Sequence, residues 1–244
     1  MLQLSKDPSV IEREIGGYVS TWYAAPKVGK TTLASCVPGA YFLATEPGHK
    51  FVSVHKSEPK DWAELKKYVV LLSRETHDFK NVVFDTVSNA YDMCCAYTCK
   101  HNPWKPGVDH ISELDWGKGF SMVKNEFRSV ITALSQAGLG IIFIAHEMVR
   151  DLEFHGVKRA RIIPNLNKSA RDAVLDISDM IGRIFVEPVE NGEKRMARFI
   201  TFKPHADYEA GDRTGRLERV DRIELTSPRE GWNDIVRVFQ GETK

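Results

Sequence analysis

Cysteine is scarce, with four residues in a chain of 244, at Cys36, Cys94, Cys95 and Cys99. That number excludes the disulfide framework of a small secreted domain and points to a reducing, cytoplasmic setting. Cys95, Cys99, His101 and His110 lie close enough in sequence to suggest zinc, but the paired CxxC knuckles of structural zinc sites are missing. The segment reads instead as a helix on which cysteine is a small apolar residue. Charge of one sign is missing too: 34 Lys+Arg face 33 Asp+Glu, for a net charge of +1, which speaks against a uniformly basic nucleic-acid coat. Long apolar runs are absent. The most apolar stretch, residues 139–145, falls far short of the ~20 residues a membrane span needs. Residues 1–15 alternate in charge without an apolar core, so no signal peptide is expected there. Neither a repeat nor a low-complexity linker interrupts the chain. These absences leave one globular domain over residues 1–244, with residues 203–244 as a C-terminal extension.

What is present is an alternation of short apolar runs and amphipathic stretches, the pattern of an α/β protein with a mostly parallel sheet. Strands are expected at 18–23, 41–45, 81–84 and 139–145, the last too uniformly apolar to face water on either side. Asp61 and Glu64 form a capping box for a helix that aligns Trp62, Leu65, Val69 and Leu72. A second helix is predicted from the spacing of Phe120, Val123, Phe127, Val130, Ile131 and Leu134, closed by Gly138. Residues 147–166 show no period and read as a polar, basic loop; helical spacing resumes over 168–180. Two strands at 184–189 and 195–202 flank Asn191-Gly192, a hairpin signal. A short strand (220–225) and a terminal helix (232–239) complete the pattern.

One motif carries most of the chemistry. Ala24-Ala25-Pro26-Lys27-Val28-Gly29-Lys30-Thr31-Thr32 follows the first strand and opens a helix. This is the context of a phosphate-binding loop, whose backbone N–H groups curl around phosphates. Lys30 would reach the β- and γ-phosphates of ATP, and the Thr31 hydroxyl would ligate Mg²⁺. The pattern GxxxxGK[ST] is met except at its first position, which is Ala24. Asp85 ends an apolar strand about fifty residues further on, where a second magnesium carboxylate is expected. Hydrolysis also needs a group to orient the attacking water, yet Thr86 rather than Glu follows Asp85. Glu46, at the end of the second strand, is the alternative base. His146 ends the most apolar strand and is placed to sense a γ-phosphate and relay its presence into the following segment.

These residues together resemble a RecA-type core. More closely, the chain resembles the phage Sak-type core recombinases, small RecA-like ATPases of the phage nucleotide-binding group. Phe84-Asp85-Thr86-Val87-Ser88, Trp116-Gly117-Lys118-Gly119-Phe120 and residues 208–217 carry that closer likeness, which spans about residues 18–217. Ala24 departs from the usual Gly, and His146 stands where bacterial RecA has Gln. The resemblance implies a RecA-like P-loop NTPase fold with a mostly parallel central sheet, flanking helices and a C-terminal β-hairpin. It implies a Mg-dependent ATPase stimulated by single-stranded DNA, acting in phage recombination or annealing. ATP would lie between subunits of a ring or filament, and a single-strand-binding protein is a further expected partner.

Against that expectation the charges can be located. Residues 147–171 carry six bases against three acids, and Arg150, Lys158, Arg159 and Arg161 are the candidate phosphate-backbone contacts, with Phe154 and His155 available to stack on bases. Residues 97–116 offer a second candidate DNA loop through Lys100, His101, Trp104, Lys105 and His110, while Trp104 and Trp116 fit core or subunit packing equally. For a cation acting across a subunit boundary, Lys203 comes first and Arg213 second, within a segment of seven bases and four acids (194–219). Two other readings stay open: a nucleotide-gated assembly module without significant hydrolysis, kept alive by Ala24, and an ATPase acting on a protein such as a helicase-loading factor.

Overall fold

The computed structural model describes residues 12–105, 107–114, 117–154, 157–191 and 193–242. Five parallel strands form its centre: β1 (Val19–Ala24), β2 (Ala40–Ala44), β3 (His55–Ser57), β4 (Asn81–Asp85) and the first half of β5 (Gly140–Phe154). To these the chain adds β6 (Val157–Pro164), β7 (Met180–Asn191), β8 (Glu193–Thr201), β9 (Gly211–Asp212) and β10 (Ile223–Glu224). The order is β10-β8-β7-β1-β5-β4-β2-β3, with β6 beside β5 and β9 beside β7. β7 is parallel to β1, while β8, β9, β10 and β6 pair antiparallel. Through β9 and β10 the segment 203–242 joins the same sheet.

Helices cover both faces, each with its own apolar core. On one side lie α2 (Trp62–Arg74), α3 (Val87–His101), α4 (Lys118–Gln136) and α5 (Lys168–Val174), packed through Trp62, Tyr91, Phe127, Phe84 and Phe143. Trp62 and Phe127 stack with centroids 5.6 Å apart. On the other side lie α1 (Lys30–Ala34) and α6 (Pro228–Gln240), where Trp22 meets Trp232 at 6.1 Å. The helix boundaries follow local chemistry. Asp61 Oδ1 accepts the Glu64 N–H at 2.8 Å, and the Glu64 carboxylate accepts the Lys60 N–H at 2.8 Å, one residue before the reciprocal partner a capping box would use. No helix among the described residues is long and apolar enough to cross a membrane.

Three expectations need correction. The basic segment 147–166 is not irregular: β5 continues past the sheet and folds back as β6, with Met148 opposite Ile163 and Arg150 opposite Arg161. Each face of this hairpin mixes apolar and charged side chains, so no period of two is visible, and main-chain pairing carries the structure. The helix expected over 168–180 stops at Val174, because Ser178 and Asp179 turn the chain and Met180 already belongs to β7. Residues 97–101 are the last turn of α3, and Asn102 closes the helix by bonding the carbonyls of Cys99 and Lys105. Trp116, Gly192 and His155 lie outside the described residues, and so do the side chains of Phe154 and Lys158.

Candidate nucleotide site

The carboxyl ends of β1, β2, β4 and β5 converge on a cavity of about 370 Å³ lined by Gly29, Lys30, Thr31, Glu46, His49, Asp85 and His146, among others. β1 ends at Ala24, and the loop that follows turns tightly enough to place Lys27 at φ 65° and Gly29 at φ 101°. Gly29 suits that left-handed backbone, whereas Lys27 adopts it against its side chain's preference. Ala24 itself is extended, paired to His146 and buried, so its methyl strains nothing in the loop.

Lys30 is almost completely buried and folds back over the loop. Its Nζ donates to the carbonyls of Ala24 (3.1 Å) and Ala25 (3.0 Å) and to His146 Nδ1 (3.4 Å). Burial pushes the Lys30 ammonium below its ordinary pKa, against the opposing pull of Asp85, Glu46 and Glu147. Thr31 Oγ1 donates to Asp85 Oδ2 at 2.6 Å, so the two expected magnesium ligands already share one point. These are hard oxygen donors at the mouth of a phosphate-sized loop, and they fit Mg²⁺.

Glu46 is fixed to the Asp85 strand by its own backbone. Thr45 and Glu46 N–H both donate to the Asp85 carbonyl, at 2.8 and 3.3 Å. The Thr86 hydroxyl then donates to Glu46 Oε1 at 2.7 Å, and His146 Nε2 lies 3.7 Å from Glu46 Oε2. Lys30, His146, Glu46 and Thr86 thus form one chain of contacts, and Thr31 and Asp85 form the second side of the same cavity. Sequence reasoning missed His49. Its ring is buried, Nε2–H donates to Asp85 Oδ2 at 3.1 Å, and Nδ1 is buried with no hydrogen-bond partner. Only the Pro47-Gly48 turn, with Gly48 at φ 144°, brings His49 back over Asp85. Nothing local in the sequence announces that contact.

The remaining candidates are placed elsewhere. β8 runs antiparallel to β1, so Lys203, beyond its end, lies away from the phosphate loop and is ion-paired with Asp221. Arg213 is at the opposite edge of the sheet, with Nη1 3.0 Å from Asp179 Oδ1, and Asp179 in turn accepts the Val19 N–H at the start of β1. In the hairpin, Arg150 is exposed, while Arg159 pairs with Asp207 at 3.1 Å and Arg161 donates to the carbonyls of His205 and Tyr208. Those last two arginines tie β6 to residues 205–209. The same segment reaches β1: the Tyr23 hydroxyl donates to the Glu209 carbonyl at 2.5 Å, and Arg171 holds the Glu209 carboxylate at 2.5–3.1 Å. Burial pushes the Tyr23 phenol well above its ordinary pKa, so it stays a protonated donor.

A larger cavity, about 730 Å³, opens at the amino edge of the sheet between Ile15, Pro38, Asn81, Trp232 and Phe239. Glu12, Glu14, Lys80 and Arg237 also line it, but among the described residues it has no phosphate loop and no hydroxyl–carboxylate pair like Thr31–Asp85, and size alone does not make it the site. The loop, the paired Thr31–Asp85 oxygens and the strand order instead define a P-loop ATPase. A family model described as an AAA domain matches residues 17–214, and the chain belongs to that family. No curated protein matches the chain.

Proposed function

We propose that this ATPase is an ATP-dependent, single-stranded-DNA-binding protein of the phage recombinase or annealing type, hydrolysing ATP between assembled subunits. The observation that carries the reading is the placement of His146. It touches Lys30 and approaches Glu46 on one side, and it is followed without interruption by the β5–β6 hairpin on the other. In this reading the loop backbone and Lys30 hold the phosphates, and Thr31 and Asp85 hold Mg²⁺, which supplies positive charge to the terminal phosphates. Glu46, oriented by Thr86, accepts a proton from the attacking water. His146 reports the state of the site into the hairpin, where exposed Arg150 meets the DNA backbone. A cation from a neighbouring subunit, Lys203 or Arg213, would leave its internal carboxylate partner to complete the site.

A second reading has its own support. Arg159 and Arg161 are engaged within the chain, which leaves the hairpin with less free charge than its sequence suggests, and Val149 on it is 66% exposed. An ATPase acting on a protein would present such a surface. Phosphate release titrated with single- and double-stranded DNA across salt concentrations separates the two. The DNA reading expects stimulation by single strands that fades as salt rises. It also expects Arg150→Glu to weaken single-strand affinity several-fold and to lower the salt slope by about one. Turnover indifferent to DNA at every salt concentration would favour the protein-directed reading.

A further inference from the structure

The β7–β8 hairpin brings one more cation to the phosphate loop. Arg183 of β7 stands level with Tyr23 of β1, and Arg198 of β8 pairs with Val186, three residues further toward the carboxyl edge. That register carries Arg198 past the end of β1 and against the loop: a Cβ built on Gly29 would lie 3.3 Å from both the guanidinium carbon and Nη1 of Arg198. Its Nε is buried and has no hydrogen-bond partner, and among the described residues no carboxylate pairs with it. A guanidinium N–H buried without an acceptor is costly, and one aimed at a phosphate loop has an obvious acceptor.

Which phosphate it meets follows from the strand order. Asp85, Glu46 and His146 come from β4, the end of β2, and β5, all on one side of β1. The terminal phosphate must face that cluster. The nucleoside end then leaves the loop on the other side, where β7 and β8 lie. Resting on the nucleotide-site reading above, we propose that Arg198 is a ligand supplied by the same chain for the α-phosphate of the bound nucleotide. Its planar fork backs Gly29 and donates to that phosphate, so that Lys30 and Arg198 grip opposite ends of the triphosphate. The role differs from that of a finger supplied by a neighbour, because it serves binding and is indifferent to whether the third phosphate is present.

The test is equilibrium binding of ATP and of ADP to the wild type, Arg198→Gln and Arg198→Lys, with the thermal midpoint of each nucleotide-free protein. Arg198→Gln is expected to weaken ATP and ADP alike, by about 10- to 100-fold, with Arg198→Lys in between. The nucleotide-free midpoints should stay together. A loss confined to ATP would assign the contact to the γ-phosphate and overturn the proposal. So would unchanged affinities, or an affinity loss that tracks a lowered midpoint, which would make Arg198 a brace for the loop. Lys30→Ala serves as the reference. If it abolishes binding while Arg198→Gln leaves both affinities unchanged, Arg198 alone is misassigned; if the wild type binds neither nucleotide, the site reading fails and the proposal with it.

Discussion

At the carboxyl edge of the parallel strands, Lys30, Thr31, Glu46, His49, Asp85 and His146 line one cavity of about 370 Å³ and bond to one another. At the amino edge a cavity of about 730 Å³ has walls that include Ile15, Pro38, Trp232 and Phe239. Polar groups there are engaged in structure: the Asn81 amide donates to the Pro38 carbonyl at 3.1 Å, and Arg237 pairs with Asp234 at 3.0 Å. The smaller space, not the larger, holds the phosphate loop and the groups that face it. What separates them is the convergence of charged groups whose own partners are incomplete: the Asp85 carboxylate is shared by two donors, His49 Nδ1 has none, and Lys30 is held in a buried position at a cost. Open α/β sheets place ligands at this edge because successive loops from neighbouring strands can meet there.

Substitutions at the two edges should fail in different ways. The largest effect is expected from Lys30→Ala, which should weaken ATP binding at least ~100-fold by removing the buried charge the phosphates need. Burial of the Lys30 ammonium also gives the wild type a pH dependence of folding that Lys30→Ala lacks. Folding lowers the Lys30 pKa, so the unfolded chain binds more protons between the lowered value and about 10.5. Wild-type stability should accordingly rise relative to Lys30→Ala as pH climbs through that window, which urea titrations at several pH values can read.

Gly140→Ala is the matching change at the amino edge. A Cβ there would sit 1.7 Å from the Gly16 carbonyl oxygen and 2.6 Å from Asn81 Oδ1. The expected loss is about 3 kcal/mol, or a midpoint lower by ~6–12 °C, with nucleotide affinity of the folded protein unchanged. A change in affinity as large as that in stability would mean that the two edges are coupled. The smallest effect is expected from Arg213→Ala. It breaks an exposed ion pair with Asp179 and should cost less than ~1 kcal/mol in thermal unfolding. Lost turnover at high protein concentration, with stability and nucleotide affinity intact, would identify Arg213 as the neighbour's cation.

The phosphate loop and Asp85 were legible in the sequence because their chemistry is local: a strand, a Gly-Lys-Thr turn and an apolar run ending in a carboxylate need no tertiary information. Glu46 and His146 could be nominated because each follows an apolar run that must reach the same edge of the sheet. The β5–β6 hairpin was not legible, since its faces mix charge and apolar groups and its pairing is made by the main chain. His49 and Arg198 were hidden for another reason. His49 meets Asp85 across 36 residues, and Arg198 reaches Gly29 through the register of a hairpin whose strand order no local pattern specifies. The hairpin cations show the same limit in reverse: Arg159 and Arg161 are basic in sequence, yet the fold spends them on residues 205–208.

In the proposed function the carboxyl edge hydrolyses ATP with Glu46 as the group that takes the proton. Steady-state phosphate release by wild type and Glu46→Gln, with ATP affinity measured in parallel, tests it directly. Affinity is expected to stay within about threefold and turnover to fall by at least ~100-fold. Full turnover in Glu46→Gln would contradict it.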